Sequence, residues 1–189
     1  MLFRSSDAIV CACSIVSELQ TVVARNIDPA DLAVVSVTSI AGDNVKNAIS
    51  STARIDGDCR HFSDDVSQKI ETSIRRIATG VAAAHVCSVD VTYDRVFVPL
   101  INDADAVDHC INAANAVFGA KNVNANGAPM GASEDFARAL TLAPGAFVII
   151  GNGDSAPLHN SGYDFNDDAL VYGTDWFVEL TRQRLKPKS

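Results

Sequence analysis

His159 is the residue in this sequence best placed for chemistry. It lies in the polar loop GNGDSAPLHNSGYDF, after the apolar run 146–150 and before the acidic pair Asp167-Asp168. A continuous apolar run is the signature of a strand covered on both faces. Loops at the carboxyl ends of such strands are where α/β domains bind ligands. A neutral imidazole on a rigid loop is also a common metal ligand. Position alone weighs evenly between that role and a solvent-facing histidine. The other histidines have plainer explanations. His61 follows a predicted strand beside Arg60, His85 ends a predicted helix where a cation is comfortable, and His109 sits four residues after Asp105 on one helical face.

A catalytic metal site needs about three protein ligands around an open position, and a hydrolytic one adds a general base beside the bound water. The sequence holds no H-x-D, no H-E-x-x-H and no second histidine in a comparable loop. Glu134 and Asp135 follow Ser133, so they read as first-turn acids behind an N-cap. G-x-S-x-G, P-loop and dinucleotide-binding patterns are also missing. The five cysteines, Cys11, Cys13, Cys59, Cys87 and Cys110, form no C-x-x-C pair, and an odd number does not close a disulfide framework. They read as buried free thiols. No residue is assigned as catalytic.

The 189 residues are 48% apolar and 20% charged, which is ordinary globular material. No stretch approaches the roughly 18 continuous apolar residues of a membrane span. Residues 1–6 lack the apolar core of a secretory signal, so the expected location is the cytoplasm. A net charge of −8, with no Lys/Arg stripe, argues against a nucleic-acid partner.

The elements that must position His159 follow from periodicity. Residues 7–25 form a predicted helix with Ile9, Ala12, Cys13, Val16, Leu19 and Val23 on one stripe. Residues 32–40 are β-branched and short, a strand. After a turn at Gly42-Asp43-Asn44, Ala53, Ile55, Gly57 and Cys59 alternate with polar residues, giving an antiparallel partner. Ser63 caps a helix running to about Ala84, and alternation through Val89, Val91 and Tyr93 predicts a strand over 86–98. The order α-β-β-α-β is a split β-α-β two-layer unit lacking its first strand.

Residues 99–102 read as a boundary. Beyond it come a helix ending at Gly119, a short extended piece at 122–125, and a short helix capped by Ser133 with Phe136 and Leu140 buried. The strand 146–150 follows, then a last helix from Asp167-Asp168 with Leu170, Trp176, Phe177 and Leu180 inward. Arg182, Arg184, Lys186 and Lys188 cluster at its end. Alternating helices and strands make this part α/β. The expected fold is therefore α/β with an α+β first domain at 7–98 and a second at 99–189.

The runs MGASEDFARAL, PGAFVIIGNGD and LHNSGYDFNDDAL, followed by a helix containing Trp176, resemble the C-terminal end of metal-dependent amidohydrolases. These are the hippurate, N-acyl-amino-acid and indole-acetyl-amino-acid hydrolases, relatives of aminoacylase and carboxypeptidase G. DAIVCACSIVSELQTVVARNIDP and IRRIATGVAAAH resemble their inserted lid, or dimerisation, domain. The resemblance implies an incomplete lid over 7–98 and the C-terminal part of a zinc-aminopeptidase-like catalytic domain over 99–189. It further implies a two-metal zinc or manganese centre, an N-acyl amino acid substrate and a homodimer formed through the lid.

On the same resemblance, His159 matches the family's last metal ligand. Asn47 falls where the lid has the substrate-binding asparagine of an N-V-I-P turn, which here reads Asn47-Ala48-Ile49-Ser50. Arg60 matches the lid arginine that approaches the substrate carboxylate, a role suited to guanidinium geometry. Read without it, Asn47 is a turn residue and Arg60 a strand-end charge. The family's H-x-D, its Glu-Glu pair, a further metal histidine and the first lid strand have no counterpart. The expectation is a truncated product, a fragment, or a half complemented by a separately encoded N-terminal half, with little activity alone. The alternative is a non-enzymatic dimerisation or small-ligand module.

Overall fold

The computed structural model describes residues 6–43 and 46–185. The expectations for residues 1–5, Asn44, Lys186 and Lys188 lie outside the described residues. The chain forms two compact units, one of residues up to Pro99 with Gly131–Ser133, the other of Leu100–Met130 with residues from Glu134 onward. Among the described residues no helix is long and apolar enough to cross a membrane.

The first unit is two helical layers' worth of apolar side chains laid on one hairpin. Asp7 caps α1 (Ala8–Leu19) by accepting from the Ile9 and Val10 N–H groups at 3.0 and 3.1 Å. The expected single helix over 7–25 is two, because the chain breaks at Gln20 and resumes as α2 (Thr21–Asn26). Hydroxyl and amide side chains at Ser17, Gln20 and Thr21 bond back to backbone carbonyls around that break, a competition that bends helices.

β1 (Ala33–Gly42) and β2 (Ala53–His61) pair antiparallel, as their alternation predicts. The register slips between Val37 and Ser39, leaving Thr38 as an extra residue in a β-bulge. Gly57 sits opposite this region, and a Cβ there would lie 2.5 Å from the Ser36 carbonyl oxygen, so glycine is required by close backbone approach. Ser63 Oγ accepts from Val66 N–H and starts α3 (Asp64–Ala84), with Asp64 and Asp65 favourably placed in its first turn.

Cys11, Ile15, Leu19, Val22, Ile27, Val66, Ile70 and Ile77 form the buried cluster, and Val35, Val37, Ile55 and Cys59 of the hairpin pack against it. Val22 and Ile70 are fully buried. Each such side chain contributes on the order of 1.5–3 kcal/mol through burial.

Two expected strands are not formed. Residues 86–98 retain the alternation, with Cys87, Val91 and Tyr93 packed on the core, but carry no ladder. Residues 146–150 are likewise irregular, and Phe147, Val148, Ile149 and Ile150 are exposed. In both cases the side-chain pattern is present, but no ladder forms on it among the described residues. The sheet that exists among the described residues has two strands.

In the second unit, α4 (Ala104–Phe118) is capped by Asp103 and followed by Gly119 at φ +76. A 3-10 turn at Ala120–Asn122 comes first, and Val123, within the piece expected to be extended at 122–125, has extended backbone at φ -114 and ψ 118. α6 (Ala169–Arg184) buries Trp176 against Cys110 and Ala113, and the indole N–H donates to the Cys110 carbonyl at 3.1 Å. Leu180 packs on this cluster, whereas Leu170 and Phe177 are exposed, contrary to the expected inward face. α5 (Phe136–Leu140) starts at Asp135 and buries Ala137. Phe136 is exposed and Ser133 does not cap the helix, because its hydroxyl accepts from Arg60 instead.

α3 ends in a Schellman motif: Cys87 N–H bonds the Ala82 carbonyl at 2.8 Å and Val86 N–H bonds that of Ala83 at 3.2 Å. The residue that must turn left-handed is Val86, at φ +57, where glycine is usual and a β-branched side chain is strained. Val86→Gly is therefore expected to stabilise the protein by about 1 kcal/mol. Denaturant unfolding of the two chains side by side measures this; a lower midpoint for the glycine variant would contradict it.

Candidate functional site

The loop carrying Asn47 is fastened at both ends. Asp43 Oδ2 accepts from the Ser51 backbone N–H at 2.8 Å and from its hydroxyl at 2.7 Å. Asn47 stands exposed in the turn between these anchors. The Ser51 hydroxyl, then that of Ser50, stabilises the Asp43 carboxylate and holds its pKa well below the usual range.

Arg60 lies one residue from the end of β2, opposite Val34 in the ladder. Its Nε pairs with Asp58 on the same strand face, and its Nη1 donates to Ser133 Oγ at 2.8 Å and the Gly131 carbonyl at 3.4 Å. Nη2 donates to no group among the described residues, which leaves one edge of the planar fork for an anion. Asp58 and Ser133 are partners that spacing did not predict for Arg60. Beside it, His61 keeps its Nδ1 buried with no hydrogen-bond partner.

His159 occupies the third position of a turn closed by Asn160 N–H to the Pro157 carbonyl at 3.2 Å. Its φ is +66, which a histidine adopts at a cost of about 1 kcal/mol. The loop around it is held by Asn152. The Asn152 amide donates to the Asp164 carbonyl at 2.7 Å and to Ser155 Oγ at 3.2 Å, and its oxygen accepts from Asn166 N–H at 2.8 Å. Asn160 Oδ1 accepts from Gly162 N–H at 2.8 Å, tightening the next turn. His159 is thus an exposed imidazole on a hydrogen-bonded loop. Asn152 was not singled out from the sequence, because its partners lie 12 and 14 residues away.

Other candidates resolve into structure. Glu134 Oε1 accepts from Phe136 N–H at 3.3 Å, so it serves the helix start. His109 contacts Arg184, not Asp105. Burial pushes the Cys11, Cys59 and Cys110 thiols up, away from the reactive thiolate. Cys11 and Cys110 are buried as expected, while Cys13 is exposed. Among the described residues no three His, Cys, Asp or Glu side chains come together to hold a metal ion. His159 alone does not make such a site, because affinity arises from several ligands closing one geometry.

The family model described as peptidase family M20/M25/M40 matches residues 9–183, and the chain belongs to that family. It is 31% identical to the hippurate hydrolase of Campylobacter jejuni, over 97% of this chain and 48% of that protein. It is 30% identical to the N-acetyldiaminopimelate deacetylase of a Geobacillus strain, over 92% of this chain and 46% of the relative. The chain spans about half the length of these curated relatives. The crystal structure of the Bacillus subtilis YXEP protein, a dinuclear metal binding peptidase from the M20 family, superposes with a TM-score of 0.79 at 27% identity. That match covers 97% of this chain and 47% of the other.

The anchoring of the Asn47 loop gives a direct test. Because the folded pKa of Asp43 is depressed, its contribution to loop order is present above the ordinary carboxylate range and is lost as pH falls through the depressed value. An NMR titration of the Asp43 carboxyl is expected to show a midpoint clearly below about 3.9, the unperturbed value. Replacing Ser51 with Ala is expected to move that midpoint upward. An ordinary midpoint in the unmodified chain would remove the anchor.

Proposed function

We propose that this chain is the C-terminal portion of a metal-dependent amidohydrolase acting on the amide bond of N-acyl amino acids, and that it has no turnover on its own. The observation that carries this reading is the disparity in coverage: 97% of this chain aligns with 48% of a hippurate hydrolase. The lack of any metal-capable cluster among the described residues supports the second clause. Residues 7–98 correspond to the lid and residues 99–189 to the end of the catalytic domain.

In this reading His159 is one ligand of a divalent metal centre, zinc or manganese, whose other ligands belong to polypeptide outside this chain. Arg60 would receive the substrate carboxylate through Nη2, with its Nε and Nη1 already committed and the fork fixed in orientation. Asn47 would donate to the substrate from its anchored loop. The lid supports a homodimer, and a separately encoded N-terminal half is the natural complement. A non-enzymatic dimerisation module is the second reading, favoured by the self-contained core of the first unit.

The purified chain, assayed with hippurate and N-acetyl amino acids in the presence of added zinc, manganese or cobalt, is expected to give no hydrolysis above the protein-free blank. Robust metal-dependent turnover that tracks with the protein through purification would overturn the proposal.

A further inference from the structure

Two of the five cysteines meet inside the first unit although they are far apart in sequence. Cys11 lies on the buried face of α1 and belongs to the core cluster. Cys87 packs against that cluster from the segment that follows α3. After burial itself, the Cys87 thiol is the neighbour that pushes Cys11 up, through a side-chain hydrogen bond and through charge. The other thiols are placed differently. Cys13 is exposed, the Cys59 thiol lies against Tyr93, and Cys110 is buried in the second unit.

The Schellman motif at the end of α3 explains the meeting. Cys87 holds the second place beyond the helix cap, where the chain reverses and an apolar side chain folds back on the last turn. Its N–H bonds the carbonyl of Ala82, which is buried in the same cluster as Cys11. On the outer side, α1 and the last turn of α3 wall an open groove, with Val10, Cys13 and Ser14 from one and Val81, Ala84 and His85 from the other. These contacts set the middle of α1 beside the turn that carries Cys87. The Cys87 S–H, a weak donor, makes one long contact to the His85 carbonyl at 3.5 Å, so the side chain turns towards Cys11 at little cost.

We propose that Cys11 and Cys87 are a reversible modification site, joined by hydroperoxides as a disulfide within the chain. Cys87 is half-buried and is the thiol that peroxide reaches, whereas Cys11 is 4% exposed and resolves the product. The Cys87 sulfur takes one peroxide oxygen as the O–O bond breaks, leaving a sulfenic acid and one water. Cys11 then attacks that sulfur. The S–S bond forms, the S–O bond breaks, and the hydroxyl leaves with the Cys11 proton as a second water. The two thiols lose two electrons and the peroxide gains them. Burial keeps Cys11 from reacting first and slows the second step, while the fixed contact between the two thiols favours it over any competing partner. The bond ties α1 to the end of α3 and closes a long loop, which restricts the unfolded chain. The pair requires nothing about hydrolysis, so it stands or falls separately from the proposed activity.

The test is oxidation of the reduced full chain with a modest excess of hydrogen peroxide, followed by acid quenching and non-reducing peptide mapping. The expected main product is one chain in which Cys11 and Cys87 are linked, with the link undone by a thiol reductant. Its denaturant unfolding midpoint is expected to lie above that of the reduced chain and to return on reduction. Cys13→Ser is expected to leave the link in place, and Cys11→Ala or Cys87→Ser to abolish it. The same treatment in denaturant is expected to scatter the cross-links among all the cysteines. A main product linked through Cys13, a link between chains, or Cys87 carried on to the sulfinic acid with Cys11 untouched overturns the proposal. So does a Cys11–Cys87 link that forms equally well in the unfolded chain, for then the fold contributes nothing to the choice.

Discussion

Backbone pairing is the constraint on which the rest of this structure depends. A β-strand is not a property of a sequence segment, because its N–H and C=O groups must be met by another backbone. The β1–β2 ladder meets that condition. Everything ordered in the first unit leans on it: α1, α2 and α3 bury their apolar stripes against the hairpin's inner face, and Ser63 and Asp7 fix where two of those helices begin. Residues 86–98 and 146–150, of equal strand propensity, form no ladder among the described residues.

The candidate site residues share a second trait. Asn47 and His159 are carried by loops that side chains hold in place, and Arg60, which stands on the β2 ladder, has its fork oriented by side chains. Asp43 ties the Asn47 loop, Asn152 ties the His159 loop, and Asp58 with Ser133 orients Arg60. Such side-chain fastening is compact and local, and it lets polar loops keep a defined shape without a strand beneath them. The exposed apolar residues at 147–150 and on α6 show the complementary cost. Without a covering layer, side chains suited to a core remain in water.

Much of the fold was legible because period and capping are local signals. The Ser63 cap, the antiparallel hairpin and the burial of Trp176 follow from residues a few positions apart. The two strands were misread because the alternation at 86–98 and the continuous apolar run at 146–150 report side-chain character, and say nothing of whether a ladder partner is present. The inward placement of Leu170 and Phe177 failed for the same reason: a helix stripe buries only what the rest of the chain can cover. At the site, the histidine in a polar loop could be found from residue types. Its φ of +66, the Asn152 clasp and the Ser133 hydroxyl on Arg60 depend on contacts made far along the chain.

The bulge at Thr38 divides the hairpin into two halves with separate duties. Between Ala33 and Val37 the strand alternates inward and outward under the helices, and Gly57 allows the backbones to approach there. Beyond the bulge, Ser39, Ile40 and Ala41 are all exposed. A bulge absorbs a change of register without transmitting it. The outer half and its Asn47 loop can therefore gain or lose residues over evolutionary time while the inner half keeps the same side chains in the core. The loop is free to be rewritten, and the scaffold does not have to notice.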